Sequence, residues 1–383
     1  MPNRFAYLGC SLLLALVIPV SGQTQQEKKT PVPKAATAGK YNPPRTSDGH
    51  PDLSGTYDAA TLTPLERMPG TPAVMTKEEA AKQEAIAASL KREGDKSLEG
   101  NRAAPPKGGD GSPGPAGNVG GYNSGWLDPG STFNVVDGQI RASIVVDPPE
   151  GKVPPLVSGA AQRGASSYIL PGGVGLLKVL LTPRPTSDAT ESNDPGLEKV
   201  PGIYDDPERR PLAERCLLGF GSTSGPPMLP DYFYNNLHQI VQTPDRVLIL
   251  TEMVHDVRVV RMNGQHLPSN IRLWFGDSVG HWEGDTLVVD TTNFSDKTSF
   301  RGSTPDLHVI ERFTRLDAHT LLYRFTIDDP KTWTKPWTGE YSWPEAHGPI
   351  YEYACHEGNY ALGDILKGAR LREQEEAAKT GGK

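Results

Sequence analysis

Three histidines, three carboxylates and two arginines set the chemistry that this chain can attempt. His238, His281 and His356 are candidate acid/base groups, Glu252, Asp290 and Glu311 candidate carboxylates, and Arg258 and Arg312 candidate anion clamps. All lie in residues 231–361, a window that holds eight of the nine His and five of the six Trp, so any chemistry is expected there. Such a set suits proton abstraction, which needs a base, an acid and a charge stabiliser. Trp282, Asn359 and Tyr360 are the candidate substrate contacts beside them.

Each candidate has a plainer reading. Trp282-Glu283-Gly284-Asp285-Thr286 reads as a hairpin turn in which Gly284 takes positive φ and Asp285 bonds nearby amides, which makes Glu283 structural and leaves His281 open. His356 and Glu357 are adjacent on an extended chain and point to opposite faces, so one of them, His356, is taken as the acid/base group. Asp290-Thr291-Thr292-Asn293 closes a strand with four hydrogen-bonding side chains. A buried carboxylate there needs an arginine, and Arg258, Arg312 and Arg324 stand on other strands.

Several chemistries find no support. His238, Glu252, His255 and His281 include metal-ligand types, but their spacing matches no H-x-H or H-E-x-x-H pattern, so no metal site is predicted. There is no G-x-S-x-G elbow, no G-x-G-x-x-G opening a βα unit and no Walker phosphate loop, so no cofactor is predicted. The formal net charge of −7, without a run of basic residues, argues against a nucleic-acid partner.

The elements that must carry these residues read as strands. The 41 Gly and 36 Pro among 383 residues exclude a mainly helical protein, yet 231–361 contains only 8 Gly and 7 Pro. Nine short strands are expected: 237–242, 246–252, 257–262, 271–275, 286–292, 308–315, 320–327, 338–343 and 350–355. With tight turns and no intervening helix, they imply an antiparallel meander that closes to protect its edges. The expected fold is mainly β, an up-and-down, lipocalin-like barrel of about eight to ten strands with long Gly/Pro-rich loops.

Outside that window, a short strand at 52–57, a helix over 76–92 capped by Thr76 with Glu79, and a hairpin turning at Asp137-Gly138 are expected. So are a strand at 173–181 and a polar helix at 364–378. Residues 1–22 read as a signal peptide, with Arg4, an apolar stretch at 12–20 and a small-residue cleavage site; Cys10 precedes that stretch, against a lipid anchor. Residues 23–50 read as a disordered leader and 51–370 as one barrel domain, with a regular core over 232–360 and a loop-rich cap over 58–230. Residues 371–383 read as a polar tail. Removal of the signal peptide leaves Cys216 and Cys355, expected as one disulfide in an oxidising compartment. A secreted or periplasmic protein without a membrane span is expected, its oligomeric state left open.

The stretch Gly276-Asp277-Ser278-x-Gly280-x-Trp282-Glu283-Gly284-Asp285-Thr286-Leu287-Val288-Val289-Asp290-Thr291 resembles the hallmark of a large family of uncharacterised exported bacterial proteins. Pro51 to Tyr57, Glu311-Arg312-Phe313, Asp329-Pro330 with Pro336-Trp337-Thr338, and Tyr351 to Tyr360 fit the same family, so the resemblance spans most of 50–370. Gly55-Thr56-Tyr57 is also similar to the lipocalin opening, although lipocalins usually carry Trp where this chain has Tyr57. These likenesses imply export and a calycin-like barrel but no activity. The residues themselves suggest a cofactor-independent lyase or isomerase acting on a carbohydrate or phenolic in a barrel mouth. The alternative is a non-catalytic barrel that binds sugars or aromatics on Trp274, Trp282, Trp333, Trp337 and Trp343; a structural envelope protein is a third.

Overall fold

The computed structural model describes residues 41–96, 127–160, 202–219, 224–230, 234–298 and 300–380, all within one compact unit spanning 38–383. The signal peptide, most of the leader and the strand expected at 173–181 lie outside the described residues.

The described chain is mainly β. Its strands are β1 (Gly55–Asp58), β2 (Val74–Met75), β3 (Val135–Val136), β4 (Gln139–Arg141), β5 (Val145–Asp147), β6 (Leu237–Gln242), β7 (Arg246–Thr251), β8 (Val257–Met262), β9 (Asp277–Glu283), β10 (Thr286–Thr292), β11 (His308–Arg315), β12 (Thr320–Asp328) and β13 (Trp337–Pro344). The two α-helices are α1 (Lys77–Gly94) and α2 (Tyr360–Thr380). Thr76 caps α1, its hydroxyl accepting the Glu79 amide at 3.1 Å, as the sequence pattern requires. Asp137 (φ 51°) and Gly138 (φ 73°) turn the β3–β4 hairpin, which with β2 forms a small sheet. Ala80 and Ala87, one heptad apart, join Leu62, Met75, Phe133 and Ala142 in a minor core.

Ten strands form one sheet in the order β1-β6-β7-β8-β9-β10-β11-β12-β13-β5, curled as a half-barrel. Its β1 end meets the residues that follow β13, where Tyr57 bridges Glu345 and the Ala346 amide donates to Thr56 O at 2.8 Å. Two expectations need correction. The meander is broken at β8–β9, which pair in parallel, because 263–276 form a crossover in place of a strand at 271–275. Within that crossover Leu273 makes a single bridge to Phe294, while the family-like stretch supplies the unforeseen strand β9. Residues 350–355 are also not a strand. The flank of β13 is taken by β5 and, past Pro344, by β1, so no ladder remains for them.

Alternation divides the sheet into two faces. The concave face carries Ile240, Val247, Ile249, Val260, Leu287, Val289, Val309, Phe313, Leu321, Tyr323, Phe325, Tyr341 and Trp343, all buried. Aromatic rings fill it: Tyr323 lies 4.7 Å from Trp343 and 5.1 Å from Phe313, and Phe325 meets Trp337 edge-on at 5.7 Å. Gly339 sits opposite Phe325, whose ring occupies the space a β-carbon would need. The convex face carries His281, Asp290, His308, Arg312 and Arg324, partly exposed.

Candidate active site

The expected site residues fall in three places. His238, Arg258 and Glu311 belong to the buried concave face. His281, Asp290 and Arg312 stand on the convex face, and His356, Asn359 and Tyr360 follow the Cys216–Cys355 disulfide, whose Cα atoms are 5.7 Å apart. The three histidines do not converge: His238 is fully buried, whereas His281 and His356 are exposed on separate elements.

The concave group makes a packed polar core. Arg258 pairs with both oxygens of Glu311, one contact at 2.8 Å, and Tyr323 donates to Glu311 Oε1 at 2.8 Å. Burial and the Glu311 charge push the Tyr323 hydroxyl well above its usual range. Met228, from the Gly/Pro-rich segment before β6, enters this core. Its amide donates to the Tyr323 oxygen at 2.9 Å, and its carbonyl accepts from the Tyr341 hydroxyl at 3.1 Å. His238 stacks on Trp343 at 4.8 Å, bonds Thr251 Oγ1 through Nδ1 at 3.1 Å, and leaves Nε2 without a described partner. Burial, with the Arg258 charge adding to it, lowers its pKa to about 3, so the ring is neutral. Trp333, Trp337 and Trp343 are buried in the same core and present no stacking surface to a ligand.

At the ends of β1 and β7, Glu252 is buried and its Oε1 accepts the Tyr351 amide at 3.4 Å. Nearby Asp58 is pushed up to about 6 by burial, with Asp128 and Glu252 reinforcing the shift and the Ala60 amide opposing it.

The convex face brings together a linked set of acid/base side chains. Asp290 Oδ1 accepts from Nε2 of His308 at 2.9 Å and from Nε2 of His266 at 3.2 Å. The other ring nitrogen of His266 lies 3.1 Å from Asp277 Oδ2. Asp277 is held by the Leu267 amide at 2.8 Å and by Arg261 at 2.8 and 2.9 Å. Four strands and a crossover position these side chains: β8 supplies Arg261, the crossover His266, β9 and β10 the two aspartates, and β11 His308. Asp290, His266 and His308 keep 37, 32 and 36% of their side-chain surface in solvent.

The charges reinforce one another. Burial tends to raise the Asp290 carboxyl, but His308 and then His266 outweigh it and hold the group below its ordinary value. Burial of Asp277 is likewise overcome by the Leu267 amide, His266 and Arg261. The Asp290 hydrogen bond raises the pKa of His308 against burial, with the Asp290 and Asp328 charges assisting. An ionised carboxylate only accepts, so Asp290 fixes the proton of His308 on Nε2 and leaves Nδ1 as the basic atom. Both ring nitrogens of His266 face carboxylates, Asp290 on one side and Asp277 on the other.

Sequence reading singled out Asp290 but not His266, Asp277 or His308. The period-two pattern of β11 shows that His308 shares a face with Arg312, but not that this face meets Asp290. On the same side, Glu283 accepts from Arg312 at 2.7 Å and faces His281 at 3.3 Å. The Arg312 bond lowers the Glu283 carboxyl, opposed by burial and assisted by His281. Glu283 is thus one arm of a surface ion pair beside a turn, with Gly284 at φ 61°. Among the described residues no group of three or more His, Cys, Asp or Glu is arranged to hold a metal ion. No protein-family model, curated protein or solved structure matches the chain.

Proposed function

We propose that this chain is an exported, cofactor-independent enzyme of lyase or isomerase type, acting on a polar organic substrate such as a carbohydrate or phenolic. The reaction centre of this reading is the Asp290 group. The observation that carries it is the convergence of two imidazoles on one carboxylate oxygen, with the second nitrogen of His266 anchored by Asp277. His308, oriented through Nε2 by Asp290, serves as general base through Nδ1. His266, held between Asp290 and Asp277, is the partner that donates a proton or stabilises developing negative charge. This shifts the centre from the barrel mouth to the convex face, since the concave residues are spent on packing around Met228.

Export is part of the same proposal. The Cys216–Cys355 disulfide supports it, because disulfides persist mainly in oxidising compartments. The leader pattern and the likeness to the exported family point the same way, as does the barrel-like sheet to a calycin relation.

Substrate depletion from plant-polysaccharide and polyphenol extracts, with product analysis, tests the proposal. Wild-type protein is expected to consume a substrate. Asp290→Asn and His308→Gln are expected to lower the rate at least about 100-fold, the scale of a lost general base, with circular dichroism unchanged. Folded variants that retain the wild-type rate would remove the Asp290 group as the centre.

A further inference from the structure

A cleft of about 490 Å³ opens beside the disulfide, between 213–216 and 234–235 on one side and 352–365 on the other. Its volume falls within the range of small-molecule sites. Two tyrosines line it, Tyr234 and Tyr353, their rings nearly parallel (19°) with centroids 6.2 Å apart. Leu362 and Ile365 add an apolar wall from α2.

Among the described residues the lining contains two carboxylates, Glu214 and Glu352, and no Lys, Arg or His. Glu214 is engaged by Arg210 at 2.8 and 2.9 Å. Glu352 is in no ion pair among the described residues and is exposed. Asn359 is also committed: its amide donates to Glu214 O at 2.8 Å and approaches Cys216 Sγ at 3.4 Å. The cleft thus offers aromatic faces and one uncompensated negative charge. An anion would meet the carboxylates of this lining with no basic side chain among the described lining residues to offset them. An organic ammonium ion matches both features, since aromatic rings attract cations through their negative faces and the carboxylate adds charge.

We infer that the cleft bounded by Tyr234, Tyr353 and Glu352 is a binding site for a small organic cation of the alkylammonium class, separate from the Asp290 group. The disulfide joins the two walls, so the site depends on the oxidised form of the chain.

Calorimetric titration of the full chain with choline, and with its neutral carbon isostere 3,3-dimethylbutan-1-ol, tests this. Choline is expected to bind with a Kd of about 1 mM or tighter. The isostere is expected to bind about tenfold more weakly or not at all, and Tyr353→Ala and Glu352→Gln each to weaken choline about three- to tenfold. Circular dichroism identifies any variant that fails to fold; Tyr353→Phe, which keeps the ring, is expected to retain most of the affinity. Absence of choline binding at about 10 mM, equal affinity for the isostere, or wild-type affinity in folded Tyr353→Ala and Glu352→Gln would each overturn the inference. None of these outcomes bears on the Asp290 group, which the depletion assay addresses.

Discussion

Arg258 on β8 and Glu311 on β11 are separated by two strands in the sheet order, yet they form a buried bidentate pair across the concave face. The curl of the sheet makes the contact possible. Tyr323 and the backbone of Met228 complete the network, so the Gly/Pro-rich segment before β6 is tied into the core by hydrogen bonds to buried hydroxyls.

Removing one partner of this pair leaves an uncompensated buried charge. Glu311→Gln is therefore expected to destabilise the fold by about 3–5 kcal/mol, read as a lower urea midpoint. Replacing both residues, as in Arg258→Met with Glu311→Leu, is expected to cost much less than the single change, because no buried charge remains. A double variant as unstable as the single one would contradict this.

His238 has a folded pKa of about 3 against an ordinary 6.5. Between those values the unfolded chain binds the extra proton, so the stability contributed by the neutral ring is complete above pH 6.5 and is lost as pH falls toward 3. Asp58, raised to about 6 from 3.8, has the opposite slope: across pH 4–6 the native state holds the extra proton and stability falls as pH rises. His238→Phe is expected to flatten the acid loss of stability. Asp58→Asn, which keeps the oxygen that accepts the Ala60 amide, is expected to stabilise the protein at pH 7 by about 1–3 kcal/mol. Denaturant titrations from pH 4 to 7 check both signs.

The Asp290 hydrogen bond raises the pKa of the His308 imidazole, against the opposing effect of burial. Its contribution is present below the ordinary His range and is lost as pH rises through the elevated folded value. Asp290→Asn is expected to move the His308 titration, followed by NMR of the ring protons, downward toward the ordinary value. An unmoved titration would show that the two side chains are not coupled in solution.

Gly339 is expected to tolerate no side chain. A β-carbon there would lie 2.3 Å from the Phe325 ring, so Gly339→Ala should destabilise by about 1–3 kcal/mol. Pairing it with Phe325→Leu, which removes the ring, is expected to recover part of the loss in a thermal melt.

Local chemistry is enough to read many of the elements. Period-two alternation marks 237–242, 257–262, 286–292 and 308–315 with the bounds the structure shows, and Thr76 with Glu79 marks the start of α1. Asp137-Gly138 identifies its hairpin, and Cys216 and Cys355, left as a pair once the signal-peptide segment with Cys10 is set aside, are joined. These features depend on neighbours within a few residues, or on counting. What remained hidden depends on pairing between distant segments. Whether β9 runs parallel to β8 is decided by how residues 263–276 cross over, and nothing in their composition states it. Register then decides which side chains meet: the same alternation that separates Glu311 from Arg312 sends one to a sealed core and the other to the opposite, partly exposed face. His266, Asp290 and His308 come from a crossover and two strands, so their convergence on one oxygen is set by the fold. The residue types of an acid/base site are thus visible in the chain, while its location is a property of the folded sheet.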